Sequence, residues 1–478
     1  MQRFIFHINL KVAISTIIFS LIFIPNVYAE ETQKPKKGFK ITKDTVLNIG
    51  LSLTPEYVSN IRKASKDSSI EDHIANNGNP VLIGITYDMI LHYAPSLRLK
   101  HDNKKNTVGL SLYFDYNHYL GIDSKSTTKR FSDLDISSDF LGEFNKDGKA
   151  IFDINNSFTR TATPNGQDLS GIHRNLLEKF DIGLGLKNLE DTLYMKISAG
   201  FDFNYLEESK DQSPYKDFNY YSVVGNLFGR WKFLPRTMLF IKGGFRYQDF
   251  YESSIRDSSK TMPLNVFAGL IGQITPHISA KLSGGYSAAF GKTVQHDYNA
   301  NAEFIFKYFD KTFFSVGYLK NLRPSAYYQY YSTHRLYLDF KQKFAKYFLG
   351  KLNFSYSFIN YGSTVEFDKD YAYNSTTNVY TKDTSGIIGG TLNYTVKVPG
   401  NDRKDQLMVI APSISYNILR WLGMKIGYEF QYRKSNFSRT TEATWNSTVN
   451  PTGNYHKTYR SYYDFLNHKV FLTLTLDY

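Results

Sequence analysis

Apolar and polar residues alternate one by one along most of the chain. Over 107–116, Val108, Leu110, Leu112, Phe114 and Tyr116 share one parity, and Thr107, Gly109, Ser111, Tyr113 and Asp115 the other. Over 193–205, Leu193, Met195, Ile197, Ala199, Phe201, Phe203 and Tyr205 alternate with Lys196, Ser198, Gly200, Asp202 and Asn204. The same pattern fills 278–290, where Ile278, Ala280, Leu282, Gly284 and Tyr286 alternate with Ser279, Lys281, Ser283, Gly285 and Ser287. A period of two predicts strands with one apolar and one polar face. In a sandwich the apolar face would meet a second sheet. In a barrel it meets lipid, and the polar face lines a lumen.

The connections choose between these. Short ones fall near 101–106, 145–149, 188–191, 234–237, 274–277, 309–311 and 345–347, and long polar ones near 59–80, 123–132, 161–174, 207–217 and 252–262 alternate with them. That alternation predicts an all-β fold, a transmembrane antiparallel β-barrel with short periplasmic turns and long extracellular loops. Aromatic clusters at segment ends, such as Tyr327, Tyr328, Tyr330 and Tyr331, match the interfacial girdles of such barrels. The alternating segments come out odd in number, whereas bacterial single-chain barrels are even. Placing all of 362–405 outside, with its alternating 386–398 in an extracellular hairpin or insertion, gives eighteen strands within a range of sixteen to twenty. Two barrel strands inside 364–398 would give twenty.

The stretch GGYSAAFGKT, 284–293, ends as a phosphate-binding loop ends. That loop has four residues between its glycines and a helix after it. Here five residues separate Gly285 from Gly291, and another alternating segment, Ala300 to Tyr308, follows. Spacing and context both exclude a nucleotide site.

The first residues set the compartment. Arg3 and Lys11 flank the apolar run 12–24, and Val27 and Ala29 stand at small-residue cleavage positions. These predict a secretory signal peptide, cut after Ala29. The apolar run is shorter than the ~18–20 residues of a spanning helix. The expected organisation is a signal peptide over 1–29, a short periplasmic segment over 30–44 with no periplasmic domain, and a barrel over 45–478 in the outer membrane of a Gram-negative bacterium. The absence of Cys excludes disulfides, thiolate metal sites and a lipid on Cys. Net charge is +13, of which Arg3 and Lys11 supply two. Export argues against nucleic acid as the counterpart of this charge and points to lipopolysaccharide or an anionic solute.

No catalytic constellation is legible. The 11 His form no H-E-x-x-H and no zinc spacing, so neither enzyme activity nor a metal or cofactor is expected. A triad assembled from loops would be spatial and leave no such pattern. His118 lies on the apolar parity of its segment and reads as an interfacial side chain. The polar parity carries the remaining chemistry. Asp115, Asp133, Asp135, Asp139, Glu143 and Asp153 would form an acidic wall of the lumen. Arg230, Lys232, Lys242, Arg246, Lys281, Lys307, Arg335, Lys341, Lys343 and Lys351, against Glu303 and Asp339, would form a basic one nearly opposite. Ordinary interior polarity accounts for both signs. A transverse field that orients or filters solutes is the sharper alternative. At the C-terminus Val470, Leu472, Leu474, Leu476 and Tyr478 alternate up to a final aromatic, as in the terminal-strand signal read by the barrel-assembly machinery.

Three stretches carry a resemblance. GRWKFLPRTMLFIKGGFRYQDF (229–250) sets Trp231 and Pro235 around a short turn, and KLSGGYSAAFG (281–291) puts Gly284, Gly285 and Tyr286 on a following strand. RWLGMKIGYEFQYRKSN (420–436) leads into the terminal YDFLNHKVFLTLTLDY (463–478). Through them the chain resembles the β-barrel porin type of proteobacterial outer-membrane proteins, most clearly from residue 174 onward. The resemblance implies a porin-like channel related to barrels implied in exopolysaccharide secretion, working with periplasmic polysaccharide-export proteins. Two readings of function therefore stand. One is a channel, either a porin or a conduit for an anionic polymer. The other is a surface-displayed adhesion or structural barrel with a plugged lumen, whose loops 59–80, 362–405 and 434–461 bind a partner.

Overall fold

The structure is a computed structural model. It describes residues 38–60, 87–122, 132–162, 174–188, 190, 192–206, 219–250, 260–291, 294–309, 311–324, 330–345, 347–361, 403–436 and 464–477. It also describes short pieces of the long connections at 70–71, 82–83, 370–374, 379–382, 392–397, 438–445 and 455–462. The leader, its cleavage site, Lys292, Thr293 and Tyr478 lie outside the described residues.

Eighteen long strands follow one another: β1 (Thr45–Val58), β2 (Asp88–Asp102), β3 (Thr107–Tyr119), β4 (Ser132–Phe144), β5 (Ala150–Thr161) and β6 (Asn175–Lys187). Then come β7 (Leu193–Leu206), β8 (Tyr220–Leu234), β9 (Thr237–Phe250), β10 (Lys260–Thr275), β11 (Ile278–Phe290) and β12 (Gln295–Tyr308). The last are β13 (Thr312–Pro324), β14 (Tyr330–Lys343), β15 (Phe348–Tyr361), β16 (Lys404–Asn417), β17 (Leu422–Ser435) and β18 (Phe465–Asp477). Each pairs antiparallel with the next, and β18 pairs with β1, so the sheet closes into a barrel. The described residues contain no helix. The short strands Asp370–Asn374, Val379–Lys382 and Leu392–Lys397 join Ser438–Trp445 and Tyr455–Tyr462 in a separate five-stranded sheet. None of the short strands described between 370 and 397 joins the barrel, which has eighteen strands, as placing this segment outside the barrel predicts.

The apolar parity faces outward. Ile197, Ile241, Ile274, Leu282, Leu336, Ile414 and Ile426, from seven different strands, are all exposed on the outside of the barrel. Burying such surface is worth roughly 25 cal/mol per Å², so an apolar band of this kind needs an apolar surround. Four prolines mark local gaps in the ladders. Pro55, Pro95, Pro263 and Pro412 each stay paired on one side, with Leu91, Leu51, Ala289 and Leu352. On the other side the register skips past them, because proline has no N–H to donate. The gap beside Pro55 falls on the closing β1–β18 seam. There Thr54 Oγ1 bonds Thr473 Oγ1 at 3.0 Å and Lys469 Nζ meets Glu56 at 3.2 Å.

A closed sheet leaves no free edge and satisfies its backbone internally. The unboiled protein should therefore migrate differently from the boiled protein in SDS gels. Identical migration would contradict closure.

Candidate functional site in the barrel lumen

Cross-strand register arranges the inward parity in rows. One row runs Asp139, Ser157, Lys179, Asp202, Ser222 and Gln248 across β4–β9. The next row toward the turns runs Leu141, Asn155, Asp181, Gly200, Val224 and Arg246. All of these but Ser222 and Gln248 line a cavity of about 340 Å³ on the wall.

The six acidic residues read from the sequence gather on this side, each with its own neighbours. Asp115 stands opposite Asp135 and meets His92 Nδ1 at 3.2 Å. Asp135 accepts from Asn117 Nδ2 at 3.0 Å and from the Ala162 amide at 2.6 Å. Buried Asp133 takes Arg160 at 2.7 Å and Arg174 at 2.5 Å. Asp139 accepts from Ser157 Oγ at 2.8 Å. Glu143 stands opposite Asp153, which Lys196 reaches at 2.6 Å.

The basic residues divide. Arg246 joins the acidic side, 2.6 Å from Asp202. Lys281 stands opposite Glu303. Lys307, Phe313, Lys341 and Lys351 form one continuous row across β12–β15, with Lys341 and Lys351 directly opposite each other. Like charges so placed repel by roughly 0.2–1 kcal/mol. Lys232 and Lys343 lie at the turn ends of β8 and β14.

Rings lie against this wall. A Cβ at Gly317 would collide with the Tyr337 ring, one at Gly427 with Phe471, and one at Gly185 with Tyr194. Glycine directly opposite an aromatic, as at Gly317 and Gly427, or diagonal to it, as at Gly185, lets the ring lie flat instead of projecting into the lumen. Cations then cover these rings: Arg230 over Tyr194 at 5.0 Å, Arg335 over Tyr337 at 5.8 Å and Lys425 over Phe471 at 5.3 Å. Lys242 over Phe267 at 5.9 Å and Lys341 over Phe313 at 5.5 Å repeat the contact. Such contacts are worth about 0.5–1 kcal/mol where exposed. Replacing Gly427 by Ala should push Phe471 inward, strip Lys425 of its ring and lower any conductance of the barrel, while heat-modifiability persists. An unchanged conductance would show that the ring does not limit the lumen.

Access differs along the axis. Asp88, Asn117, Ser222, Gln248, Ser287, Asp405 and Asn467, at the loop ends of their strands, are buried. Arg98, Lys100, Lys242, Lys307, Arg335 and Asn353, in the middle and toward the turns, are exposed. At the loop end of β16 and β17, Asp405 lies between Arg403 (2.8 Å) and Arg433, all three buried. Breaking such a buried pair costs about 3–5 kcal/mol.

Sequence reading missed Asp181, Asp202, Lys179 and Lys196 as site residues. Their parity was legible, and the same period-two test would have found them. Their pairing was not, because Lys196 meets Asp153 across β6, a contact fixed by register alone.

No protein-family model and no curated protein sequence matches the chain. Solved structures give fold-level likenesses. The FrpB iron transporter from Neisseria meningitidis is 10% identical, over 90% of this chain and 81% of its own, with a TM-score of 0.39. The siderophore receptor PirA from Acinetobacter baumannii is 9% identical, over 92% and 81%, at 0.42. OccK1 (OpdK) from Pseudomonas aeruginosa is 9% identical, over 90% and 99%, at 0.41. Likenesses this distant say nothing about function. What the chain itself shows is an all-β, closed, eighteen-stranded antiparallel barrel with a charged, ring-lined lumen.

Proposed function

We propose that the chain is a porin-like channel of a Gram-negative outer membrane that conducts anionic solutes through its lumen. The observation that carries this is the two-faced wall. Apolar side chains face outward all round a closed sheet, and lysine and arginine stand exposed inward from the middle to the turns. Strands of 12 to 16 residues are long enough to cross an apolar band of about 25 Å at a tilt. On this reading the short turns face the periplasm.

An anionic polysaccharide suits such a lumen best. The Lys307–Lys341–Lys351 row can hold carboxylates or sulfates, and the arginines and lysines that cover the flat rings add further positive charge along the path. One observation favours the second reading, a structural or adhesion barrel displayed at the surface: the lumen residues at the loop end are buried, as a plug requires.

Proteoliposome swelling separates the two. An acidic oligosaccharide should enter several-fold faster than a neutral one of equal size. Equal rates, or no entry of either, would overturn the channel reading.

A further inference from the structure

Four histidines share an arrangement on the outside of the barrel, near its loop end. His296 takes the Tyr286 hydroxyl at Nδ1, His334 takes Tyr318 at 2.8 Å, and His468 takes Tyr428 at 2.7 Å. His118 has Ser132 Oγ at Nδ1, 3.1 Å away, and its ring stacks on Tyr116. All four lie on the apolar parity, so their rings face outward on β12, β14, β18 and β3.

A hydroxyl can donate or accept here; where it donates to Nδ1, the neutral imidazole carries its proton on Nε2, and this is the tautomer the inference below takes. In that tautomer each outward-facing ring carries its N–H on Nε2. None of the four has a hydrogen bond to Nε2 among the described residues. The turn side is built the other way. His277 gives Nδ1–H to the Lys307 carbonyl at 3.0 Å, which leaves Nε2 an acceptor.

An unsatisfied donor facing hydrocarbon is costly, by roughly 1–3 kcal/mol. Four of them on one rim need acceptors from outside the chain. Charge agrees with this along the arc from β11 through β18 to β3. His334 shares a cross-strand row with Phe358, Gln406 and Lys434, and Lys434 is exposed and unpaired among the described residues. The outward acids Glu178 and Asp249 sit on β6 and β9, outside that arc.

We infer that this arc binds the phosphates of phosphorylated lipid headgroups in the loop-side leaflet. Three tyrosine hydroxyls, and Ser132 at His118, hold the imidazoles in place, Nε2–H donates to phosphate oxygen, and Lys434 adds charge. The inference rests on the membrane placement proposed above, but not on an open lumen.

The test is titration of the detergent-solubilised full-length barrel with diphosphoryl lipid A, followed by native mass spectrometry. The comparison ligand is the same lipid with its phosphates removed. The wild type should bind the phosphorylated form at least about tenfold more tightly. Replacing His118, His296, His334 and His468 together by Phe keeps the rings and removes the donors, and should erase that preference. Lys434→Gln should weaken it by a few fold. Equal binding of the two lipids by the wild type, or a quadruple variant that keeps the preference, would overturn the inference. Heat-modifiable migration shows whether the variant has folded. If it has not, His296→Phe and His334→Phe singly should each reduce the preference, and no reduction in either counts against the site. Conductance of the same preparations is a separate readout: a barrel that binds lipid A but never conducts loses the channel reading and keeps this one.

Discussion

Reversing Lys307, Lys341 and Lys351 together to Glu should turn the lumen from anion-preferring to cation-preferring. The three form one row across β12–β15, so the change converts a continuous band of positive charge to negative at one level. Lys307 is exposed to the lumen, and the others are half-buried in its wall. In a confined, water-filled passage bounded by low dielectric, field lines are focused and screening over the ~8–10 Å Debye length is incomplete. The reversal potential in a salt gradient should therefore change sign, and flux of an acidic oligosaccharide should fall by about tenfold or more. The barrel should still form, since inward substitutions tune selectivity more than stability. Replacing Asp135, Asp139 and Asp153 by Asn should move selectivity the other way by less, because each is already engaged by Asn117, Ser157 or Lys196. No shift in either variant would mean that these residues do not line the conducting path.

Changing Leu472 and Leu474 of β18 together to Arg should abolish assembly. Both face outward on the strand that closes the barrel, and Leu474 is paired with Leu53 on one side and Met424 on the other. An arginine on the lipid face costs about 2–4 kcal/mol near the midplane. Two of them approach the whole stability of an ordinary domain, about 5–15 kcal/mol. Membrane fractionation should find none of the protein in the outer membrane. Thr473→Arg is the matched control, since Thr473 lies between them and faces the lumen beside Thr54. It should assemble nearly as well as the wild type. If Thr473→Arg fails as completely as the double variant, the inward and outward assignments of β18 are wrong.

Much of this architecture is legible in the sequence, for a physical reason. A wall with lipid on one side and water on the other imposes strict alternation, and one-sided turns impose alternating connection lengths. The strand count was ambiguous only at 362–405. There the segments Asp370–Asn374 and Leu392–Lys397 are strands, as their pattern suggests, but they pair with each other and with Ser438–Trp445 instead of with the barrel. Periodicity identifies a strand; it does not name its partner.

The same limit governs the lumen. Parity puts Arg246 on the polar face, yet its position among the basic residues gives no hint that Asp202 lies 2.6 Å away. Glycine opposite an aromatic, as at Gly317 and Tyr337, emerges only once register is known. His118 reads from its parity as an outward, interfacial side chain, and the structure places it on the outside of the barrel. The recurrence of a hydroxyl at Nδ1 on His296, His334 and His468 depends on neighbouring strands and could not be read along the chain.

A single-channel recording of the purified wild-type protein in a planar bilayer under a salt gradient decides whether the lumen conducts anions. Discrete conductance steps with a reversal potential on the anion side are predicted. A heat-modifiable barrel that inserts but gives no steps, or one that reverses on the cation side, would contradict anion conduction.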